Sequence, residues 1–164
     1  MTKQNADFGL IGLGVMGKSL LLNVADNGYK VIGYDKDTDK VKDLNDNGIL
    51  AVENLKDFVQ GLAKPRKIMM LLPAGKIVDA VIAEITPLLE KGDMLMDGGN
   101  TYFTDTERRQ NTLKPTGIHY LGIGISGGEA GARKGPSMMP SGDKSAYQYI
   151  EPILTAISAK AHQK

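Results

Sequence analysis

The sequence predicts an α/β protein of the Rossmann type, in which helices cover both faces of a doubly wound, mostly parallel sheet. Three observations predict this class. Short apolar runs alternate with amphipathic stretches along the chain, which is typical of strands that alternate with helices. The run Lys67–Leu72 is almost continuously apolar, as expected for a central strand covered on both faces. A glycine-rich turn directly follows the first apolar run. We expect one domain over residues 1–164.

The glycine-rich turn is Gly12-Leu13-Gly14-Val15-Met16-Gly17, between a predicted strand, Asp7–Ile11, and a predicted helix, Val15–Asn27. A second strand, Lys30–Tyr34, leads into Asp35 at close to the spacing of about 20 residues that dinucleotide-binding βαβ units show. Strand, turn, helix, strand and acid together predict a dinucleotide site. The alternative is a glycine-rich βα turn that binds no ligand.

Each glycine of the turn has an expected role. Gly12 permits the tight turn, Gly14 lets a pyrophosphate approach the backbone because it has no Cβ, and Gly17 lets the helix lie close to the strand. The helix N-terminus offers free N–H groups to the anion.

The residues after the second strand predict which dinucleotide is bound. The Asp35 carboxylate can accept hydrogen bonds from both ribose hydroxyls of NAD, whereas a 2′-phosphate would meet a like charge. Asp37 adds a second negative charge, and Lys36 is the one residue of the three that favours a phosphate. We therefore expect NAD, with NADP as the alternative. Asp37 is more typical of a helix N-cap than of a ribose contact.

The remaining elements are predicted from the spacing of apolar residues and from the capping and chain-breaking residues between them. Predicted helices cover Asp37–Asn47, Asn54–Leu62, Lys76–Leu89, Thr104–Lys114 and Lys144–Ala159. Further predicted strands cover Asp93–Asp97, Ile118–Ile123 and, at an edge of the sheet, Pro136–Pro140. Thr104 and Glu107 predict a capping box that opens one of these helices.

Composition excludes several classes of function. The chain has 164 residues and a net charge of +1 without a basic stripe, so we expect no nucleic-acid partner. Without cysteine there is no disulfide, thiolate metal site or cysteine nucleophile, and no metal-ligand cluster is present. The polar N-terminus and the lack of a long apolar run predict a soluble, cytoplasmic protein that does not contact a membrane.

Four segments should lie at the carboxyl edge of the sheet, where ligands bind such folds: Gly12–Gly17, Leu72–Gly75, Gly98–Asn100 and the glycine-rich segment Gly124–Gly135. Asn100 offers a donor and acceptors without charge. Ser126-Gly127-Gly128 offers a hydroxyl and successive N–H groups that suit a carboxylate or an oxyanion. The alternatives are a turn residue for Asn100 and a flexible surface loop for Ser126–Gly128.

Groups that could transfer a proton are few. His119 lies in a predicted strand and His162 near the C-terminus, and we expect structural roles for both. Glu129, Arg133 and Lys134 are either solvated charges or the rim of a substrate loop. We therefore expect no catalytic residue in this chain.

Together these segments resemble the 6-phosphogluconate dehydrogenase family over essentially the whole chain. The resemblance is carried by Gly12–Gly17, Lys64-Pro65-Arg66-Lys67, Asp97-Gly98-Gly99-Asn100, Ile125–Arg133 and Lys134-Gly135-Pro136-Ser137-Met138-Met139-Pro140. The wider β-hydroxyacid dehydrogenase superfamily shares the glycine turn and the Ser-Gly-Gly step, but it lacks the continuation Gly-Pro-Ser-x-Met-Pro.

The resemblance implies oxidation of 6-phosphogluconate at C3 by the nicotinamide, loss of CO2 and formation of ribulose 5-phosphate, a step of the pentose phosphate pathway. It implies that Gly12–Gly17 bind the pyrophosphate and that Ser126, Gly127 and Gly128 hold the substrate. The other implied cofactor contacts are Asp35, Lys36 and Asp37 at the adenine ribose, Leu72, Pro73 and Ala74 along the cofactor, and Asn100, which also touches the substrate.

The chain departs from the family pattern in ways that bear on function. NADP-using members commonly have Asn-Arg-Thr or Asn-Arg-Ser where this chain has Asp35-Lys36-Asp37, so the missing arginine and the added acid argue against NADP. Many members of the family have alanine where Gly14 stands, and glycine there is the NAD-type pattern. Lysine is frequent where Pro73 stands.

The family continues into a helical domain that supplies the catalytic lysine, a glutamate general acid, the arginines for the substrate phosphate and the homodimer interface. We therefore expect the catalytic residues beyond Lys164, and we expect this chain to bind dinucleotide, to self-associate and to lack turnover. The alternatives are a non-catalytic dinucleotide-binding module and a domain of a related 3-hydroxyacid dehydrogenase.

Overall fold

The computed structural model describes residues 5–160, which form one seven-stranded sheet with helices on both faces. The strand order is β3-β2-β1-β4-β5-β6-β7. Neighbouring strands are parallel except for the antiparallel pair β6 and β7 at one edge. This arrangement confirms the predicted doubly wound, mostly parallel class.

The first half of the chain contains β1 (Phe8–Ile11), α1 (Val15–Asp26), β2 (Val31–Tyr34), α2 (Thr38–Asp46), β3 (Ala51–Val52) and α3 (Leu55–Gln60). The second half contains β4 (Lys67–Met70), α4 (Lys76–Ile85), β5 (Met94–Asp97), α5 (Phe103–Leu113), β6 (His119–Ser126), α6 (Gly128–Lys134), β7 (Ser137–Gly142) and α7 (Lys144–Ile157). Single 3-10 turns follow α4 and α5 at Thr86–Leu88 and Lys114–Thr116.

The core consists of two aliphatic layers, one on each face of the sheet. Helices α1, α2, α6 and α7 cover the face that carries Leu10 and Met69. Helices α3, α4 and α5 cover the face that carries Ile68 and Met70. Because consecutive residues of β4 point to opposite faces and both faces are covered, the side chains of Ile68, Met69 and Met70 are all fully buried. The continuous apolar run therefore correctly predicted a central strand.

The helices differ in whether a side chain caps their first turn. Asp37 caps α2 by accepting hydrogen bonds from the backbone of Asp39 and Lys40, which confirms its predicted role. In contrast, α1 and α4 begin after Gly14 and Gly75, and neither helix has a side-chain cap. The first N–H groups of α1 and α4 are therefore not used by a capping side chain.

The capping box predicted at Thr104 and Glu107 is wrong. The N-cap of α5 is Tyr102, and the helix begins at Phe103, before the predicted cap. The physical reason is that the Tyr102 carbonyl already accepts hydrogen bonds from the N–H groups of Asp105 and Thr106, so Thr104 lies inside the first turn.

The sequence predicted neither a strand nor a helix within the glycine-rich segment Gly124–Gly135, and the structure has both. Strand β6 continues to Ser126 because β7 pairs with it as far as that residue, and α6 follows from Gly128 to Lys134. The glycines at 127 and 128 have φ of +123° and +62°, and they turn the chain directly from strand to helix. Strand β3 was missed because it has only two residues.

Within residues 5–160, none of the helices combines the length and the apolar character that a membrane span requires.

Candidate cofactor site

The segments predicted at the carboxyl edge of the sheet lie side by side. A Cβ placed on Gly12 would lie 2.2 Å from the carbonyl oxygen of Leu71, so the turn after β1 touches the end of β4. A Cβ on Gly98 would lie 2.8 Å from a methyl group of Leu71 and 2.9 Å from one of Ile125. The segments that follow β1, β4 and β5 and the end of β6 are therefore in contact in that order.

The three glycines of the turn meet different constraints. Gly12 has a φ of +99°, and a Cβ on Gly17 would lie 1.8 Å from the Gly12 carbonyl oxygen, so the fold itself requires both residues to be glycine. Gly14 has an ordinary φ of −65°, and a Cβ there would meet nothing within 4 Å. The space beside Gly14 lies in front of the uncapped start of α1. This is the position in which a pyrophosphate would accept hydrogen bonds from free N–H groups.

The Asp35 carboxylate is hydrogen-bonded to the backbone of the glycine turn. Its Oδ2 accepts a hydrogen bond of 2.8 Å from the backbone N–H of Leu13, and its Oδ1 accepts one of 2.9 Å from Asp37. A carboxylate has about four acceptor positions, so capacity for two ribose hydroxyls remains. The bond to Leu13 was not predicted from the sequence, because it joins the ends of two strands across the sheet. The bond to Asp37 is the local turn that Asp favours.

The two charged side chains that follow Asp35 both have partners within the protein. The Asp37 carboxylate caps α2, and the Lys36 ammonium lies 3.2 Å from a carboxylate oxygen of Glu84 on α4. Both side chains of the Lys36–Glu84 pair are exposed, so the pair contributes little to stability. Its importance lies in placing an acid beside the only cation of the Asp35-Lys36-Asp37 segment. Glu84 was not predicted from the sequence.

The segment Leu72-Pro73-Ala74 connects β4 to the start of α4. Leu72 is half-buried, whereas Pro73 and Ala74 are exposed. A Cβ on Gly99 would lie 2.7 Å from the Leu72 carbonyl oxygen, so the segments after β4 and β5 touch through their backbones. Pro73 and Ala74 therefore present accessible surface close to Gly99.

Asn100 lies at the tip of a turn that is organised by the buried carboxylate of Asp97. That carboxylate accepts hydrogen bonds from the N–H of Gly99, at 2.9 Å, and from the Thr101 hydroxyl. Because both flanking residues are held in this way, the exposed Asn100 side chain is available to a ligand. The Asp97 side chain itself is only 1% exposed.

A buried arginine contacts the Asp97 carboxylate that organises this turn. Arg109 of α5 donates hydrogen bonds to Asp79 at 2.8 Å, to the Gly75 carbonyl at 3.1 Å and, more weakly, to Asp97 at 3.5 Å. The hydrogen bond from Arg109 is the main reason that the pKa of Asp79 falls from 3.8 to about 2. Burial, followed by the negative charge of Asp97, raises the pKa of Tyr120 well above its usual value. Neither Arg109 nor Asp79 was predicted from the sequence.

Ser126-Gly127-Gly128 lies at the far end of β6. Strand β6 continues beyond Gly122, which pairs with the last residue of β5, so Ser126 extends past the end of the parallel sheet. All three residues are exposed. A pocket of about 430 Å³ opens between α5 and the β6–β7 pair next to Asn100.

Other candidate residues lie away from this edge or are paired elsewhere. His119 is the first residue of β6, at the amino edge of the sheet, and its Nδ1 lies 3.5 Å from a carboxylate oxygen of Asp143. Arg133 forms an ion pair with Asp26 at the end of α1, at 2.6 Å. Glu129 and Lys134 are exposed on α6, and His162 lies outside the described residues. The described part of the chain holds no group of three or more acidic or histidine side chains that could bind a metal.

Comparison with known proteins places this geometry in a family. The family model described as the NAD binding domain of 6-phosphogluconate dehydrogenase matches residues 7–163. The decarboxylating 6-phosphogluconate dehydrogenase 1 of Saccharomyces cerevisiae is 48% identical over 162 residues, which cover 96% of this chain and 33% of the yeast protein. The NAD(+)-dependent, decarboxylating 6-phosphogluconate dehydrogenase of Bacillus subtilis is 51% identical over 156 residues, which cover 93% of this chain and 33% of that protein.

A solved structure agrees with the sequence relatives. Plasmodium falciparum 6-phosphogluconate dehydrogenase, determined in its apo form, with NADP+ and with 6-phosphogluconate, superimposes with a TM-score of 0.91 at 38% identity. The superposition covers 95% of this chain and 35% of the Plasmodium chain. The chain thus spans about a third of the length of the curated relatives it matches. It belongs to the 6-phosphogluconate dehydrogenase family, whose NAD-binding domain it represents.

Proposed function

We propose that residues 1–164 are the dinucleotide-binding domain of an enzyme that oxidises and decarboxylates 6-phosphogluconate to ribulose 5-phosphate while it reduces NAD or NADP. The observation that carries this proposal is the open space beside Gly14. No neighbouring group in the protein requires glycine at that position, and Gly14 is the uncapped start of α1. The preceding residue, Leu13, donates its N–H to the Asp35 carboxylate. A pyrophosphate beside Gly14 and a ribose at Asp35 fit these features.

We further propose that the domain prefers NAD to NADP. The Asp35 carboxylate is held in place by the N–H groups of Leu13 and Asp37, so it cannot turn away from a 2′-phosphate without breaking both hydrogen bonds. Lys36, which could bind that phosphate, is paired with Glu84. The Bacillus relative is named NAD(+)-dependent, whereas the Plasmodium relative was solved with NADP+, so the family alone does not decide the preference.

The proposed substrate contacts are Asn100 and the segment Ser126-Gly127-Gly128. Asn100 can donate to a hydroxyl of the sugar acid and accept from the nicotinamide amide, because its amide has both functions and carries no charge. The Ser126 hydroxyl and the following N–H groups suit the substrate carboxylate. These groups bind and orient, and none of them exchanges a proton near neutral pH.

The base and the general acid of the reaction then come from beyond Lys164, in a cytoplasmic homodimer whose partner surface is likewise outside this domain. The domain alone should therefore bind dinucleotide without turnover. Incubation with NAD and 6-phosphogluconate should give no increase in absorbance at the NADH wavelength. Steady NADH formation by the 164-residue chain would contradict this part of the proposal.

The test of cofactor binding uses NADH and NADPH fluorescence, which is free of tryptophan background because the chain has none. We expect NADH to bind more tightly than NADPH. Replacing Asp35→Asn together with Lys36→Arg should shift the ratio of affinities toward NADPH by roughly 10- to 100-fold, since a hydrogen bond to a charged group is worth about 1.5–3 kcal/mol.

The matched control is Glu84→Gln, which removes the acid beside Lys36 and leaves Asp35 in place. We expect it to improve NADPH binding by about two- to fivefold, the size of an exposed ion-pair effect, without changing NADH binding. A ratio that is unchanged in the double variant would refute the ribose assignment of Asp35.

A further inference from the structure

Arg109 is buried behind the candidate site rather than in it. Its side chain is 2% exposed, and it lies on α5, on the face of the sheet that α4 also covers. Each of its three nitrogen atoms donates to a different partner. These partners are the Asp79 carboxylate, the Gly75 carbonyl and the Asp97 carboxylate.

The three partners belong to the two segments that follow β4 and β5, and the second of them carries Asn100, which we propose contacts the nicotinamide. Gly75 directly follows Leu72-Pro73-Ala74 and is the N-cap of α4, and Asp79 lies in the first turn of that helix. Asp97 directly precedes Gly98–Asn100 and shapes that turn through the N–H of Gly99. One guanidinium therefore connects the end of β4 with the end of β5 at the edge where a ligand would bind.

The two segments also touch each other without a side chain between them. A Cβ on Gly99 would lie 2.7 Å from the Leu72 carbonyl oxygen, so the backbones are in close contact. A displacement of either segment would therefore open a gap at Leu72 and Gly99. The hydrogen bonds that Arg109 donates to Gly75 and Asp97 oppose that displacement, because one partner lies in each segment.

Arginine suits this role better than lysine. Its planar group presents donors in fixed directions, whereas a lysine ammonium is a point charge on a flexible stem. A lysine at position 109 would keep the positive charge between Asp79 and Asp97. It would not reach the Gly75 carbonyl and both carboxylates at the same time.

We propose that Arg109 is a positioning residue, which holds Leu72–Gly75 and Gly98–Asn100 together as one surface for the nicotinamide half of the dinucleotide. The proposal rests on the proposed dinucleotide function. It adds a residue that touches neither cofactor nor substrate and acts through Gly75 and Asp97.

The experiment compares Arg109→Lys with Arg66→Lys in the 164-residue chain. Arg66 also forms a buried ion pair, with Asp93, but at the amino edge of the same two strands. Both variants keep the charge and lose the planar donors, so we expect the two substitutions to reduce the free energy of unfolding by similar amounts. Binding is measured for NADH and, as an internal control, for ADP, which occupies only the adenine half.

We expect Arg109→Lys to weaken NADH binding by about tenfold, as for the loss of one or two hydrogen bonds, and to leave ADP binding within about twofold. Arg66→Lys should change neither affinity by more than about twofold. Equal loss of NADH and ADP binding in Arg109→Lys, or equal loss of NADH binding in both variants, would overturn the positioning role. A wild-type chain that binds neither ligand would instead overturn the proposed function.

Asp79→Asn provides a second variant in case Arg109→Lys does not fold. The Asp79 side chain is 39% exposed, so its replacement leaves no cavity in the core. It weakens the hydrogen bond to Arg109 while retaining an acceptor. We expect NADH binding to fall by about two- to fivefold with ADP binding unchanged, and an unaltered NADH affinity would count against the proposal.

Discussion

The two ends of β5 have the same sequence character but different structures. The strand Met94–Asp97 is preceded by Asp93 and ends in Asp97, and both aspartates are buried and face a buried arginine. At the amino edge, Asp93 and Arg66 lie 2.7 Å apart. At the carboxyl edge, Asp97 and Arg109 lie 3.5 Å apart.

The difference lies in what the groups bind besides each other. Asp93 accepts two further hydrogen bonds, from the N–H groups of Arg66 and Glu90, so the amino edge is closed by short contacts among neighbouring chain segments. Asp97 and Arg109 direct their shorter hydrogen bonds to Gly99, Asp79 and Gly75, which belong to the segments at the candidate site. The amino-edge pair therefore serves stability, and the carboxyl-edge pair serves the shape of the site.

The largest expected effect is on stability at the amino edge. Asp93→Asn places an amide NH2 group against at least one donor, because both carboxylate oxygens of Asp93 already accept hydrogen bonds. We expect the free energy of unfolding to fall by about 3 kcal/mol, at the low end for breaking a buried ion pair. Urea denaturation measures this decrease, and the NADH affinity of the folded protein should stay unchanged.

The corresponding change at the carboxyl edge, Asp97→Asn, should reduce stability less than Asp93→Asn and reduce NADH affinity more. The Thr101 hydroxyl can reverse its hydrogen bond, and the hydrogen bonds that Arg109 and Tyr120 donate to this carboxylate are long, at 3.5 and 3.4 Å. We expect stability to fall by about 1–2 kcal/mol and NADH affinity to fall by about fivefold. If Asp93→Asn weakened NADH binding more than Asp97→Asn, the division of roles between the two edges would be wrong.

The part of the fold that could be predicted from sequence is the part set by local chemistry. Gly12 and Gly17 were assigned correctly because a tight turn followed by a helix close to a strand needs glycine in any such unit. Asp37 was assigned correctly because an N-cap bonds residues two and three positions along the chain. Helix α6 was missed because its glycine-rich sequence has low helix propensity and is held by packing on α1.

The supporting residues of the site could not be predicted, because their partners are distant in sequence. The strand and its flanks read Asp93-Met94-Leu95-Met96-Asp97, which is symmetric and gives no sign of which end is functional. Arg109 meets Asp79 and Gly75 only because packing places α4 next to α5. The Asp35 contact to Leu13 likewise depends on the register of β1 with β2.

A smaller effect is expected at Tyr120, which lies beside Asp97 and Arg109. Burial raises the pKa of its phenol above the usual value of 10.0, so above about pH 10 the unfolded chain loses this proton before the folded chain does. The contribution of Tyr120 to stability is therefore present below pH 10 and is lost as pH rises further. Tyr120→Phe should cost only about 0.5 kcal/mol at neutral pH, since its hydrogen bond is long.

The measurement for Tyr120 is the urea midpoint at neutral and at alkaline pH. We expect the wild-type midpoint to fall more steeply above about pH 10 than that of Tyr120→Phe. Parallel slopes would mean that the phenol ionises in the folded protein, and that Tyr120 is more open to water than its 2% exposure indicates.

The smallest expected effect comes from Asp79, the most exposed member of the carboxyl-edge group. The hydrogen bond from Arg109 lowers its pKa from 3.8 to about 2, so the carboxylate stabilises the folded state above about pH 4. That contribution is lost as pH falls from about 4 toward 2. Wild-type stability should therefore decrease over this interval more than that of Asp79→Asn, as followed by thermal unfolding.

Arg108→Gln is the matched control for Asp79, because Arg108 also contacts that carboxylate, at 3.2 Å, but is exposed and contributes less to the lowered pKa. We expect this variant to retain most of the acid dependence, whereas Arg109→Lys should remove much of it. If Arg108→Gln removed as much of the acid dependence as Arg109→Lys, the exposed Arg108–Asp79 pair would be the main contact of Asp79. The start of α4 would then be held by a surface residue. The carboxyl edge would then differ from the amino edge in having no buried arginine that orders its loops.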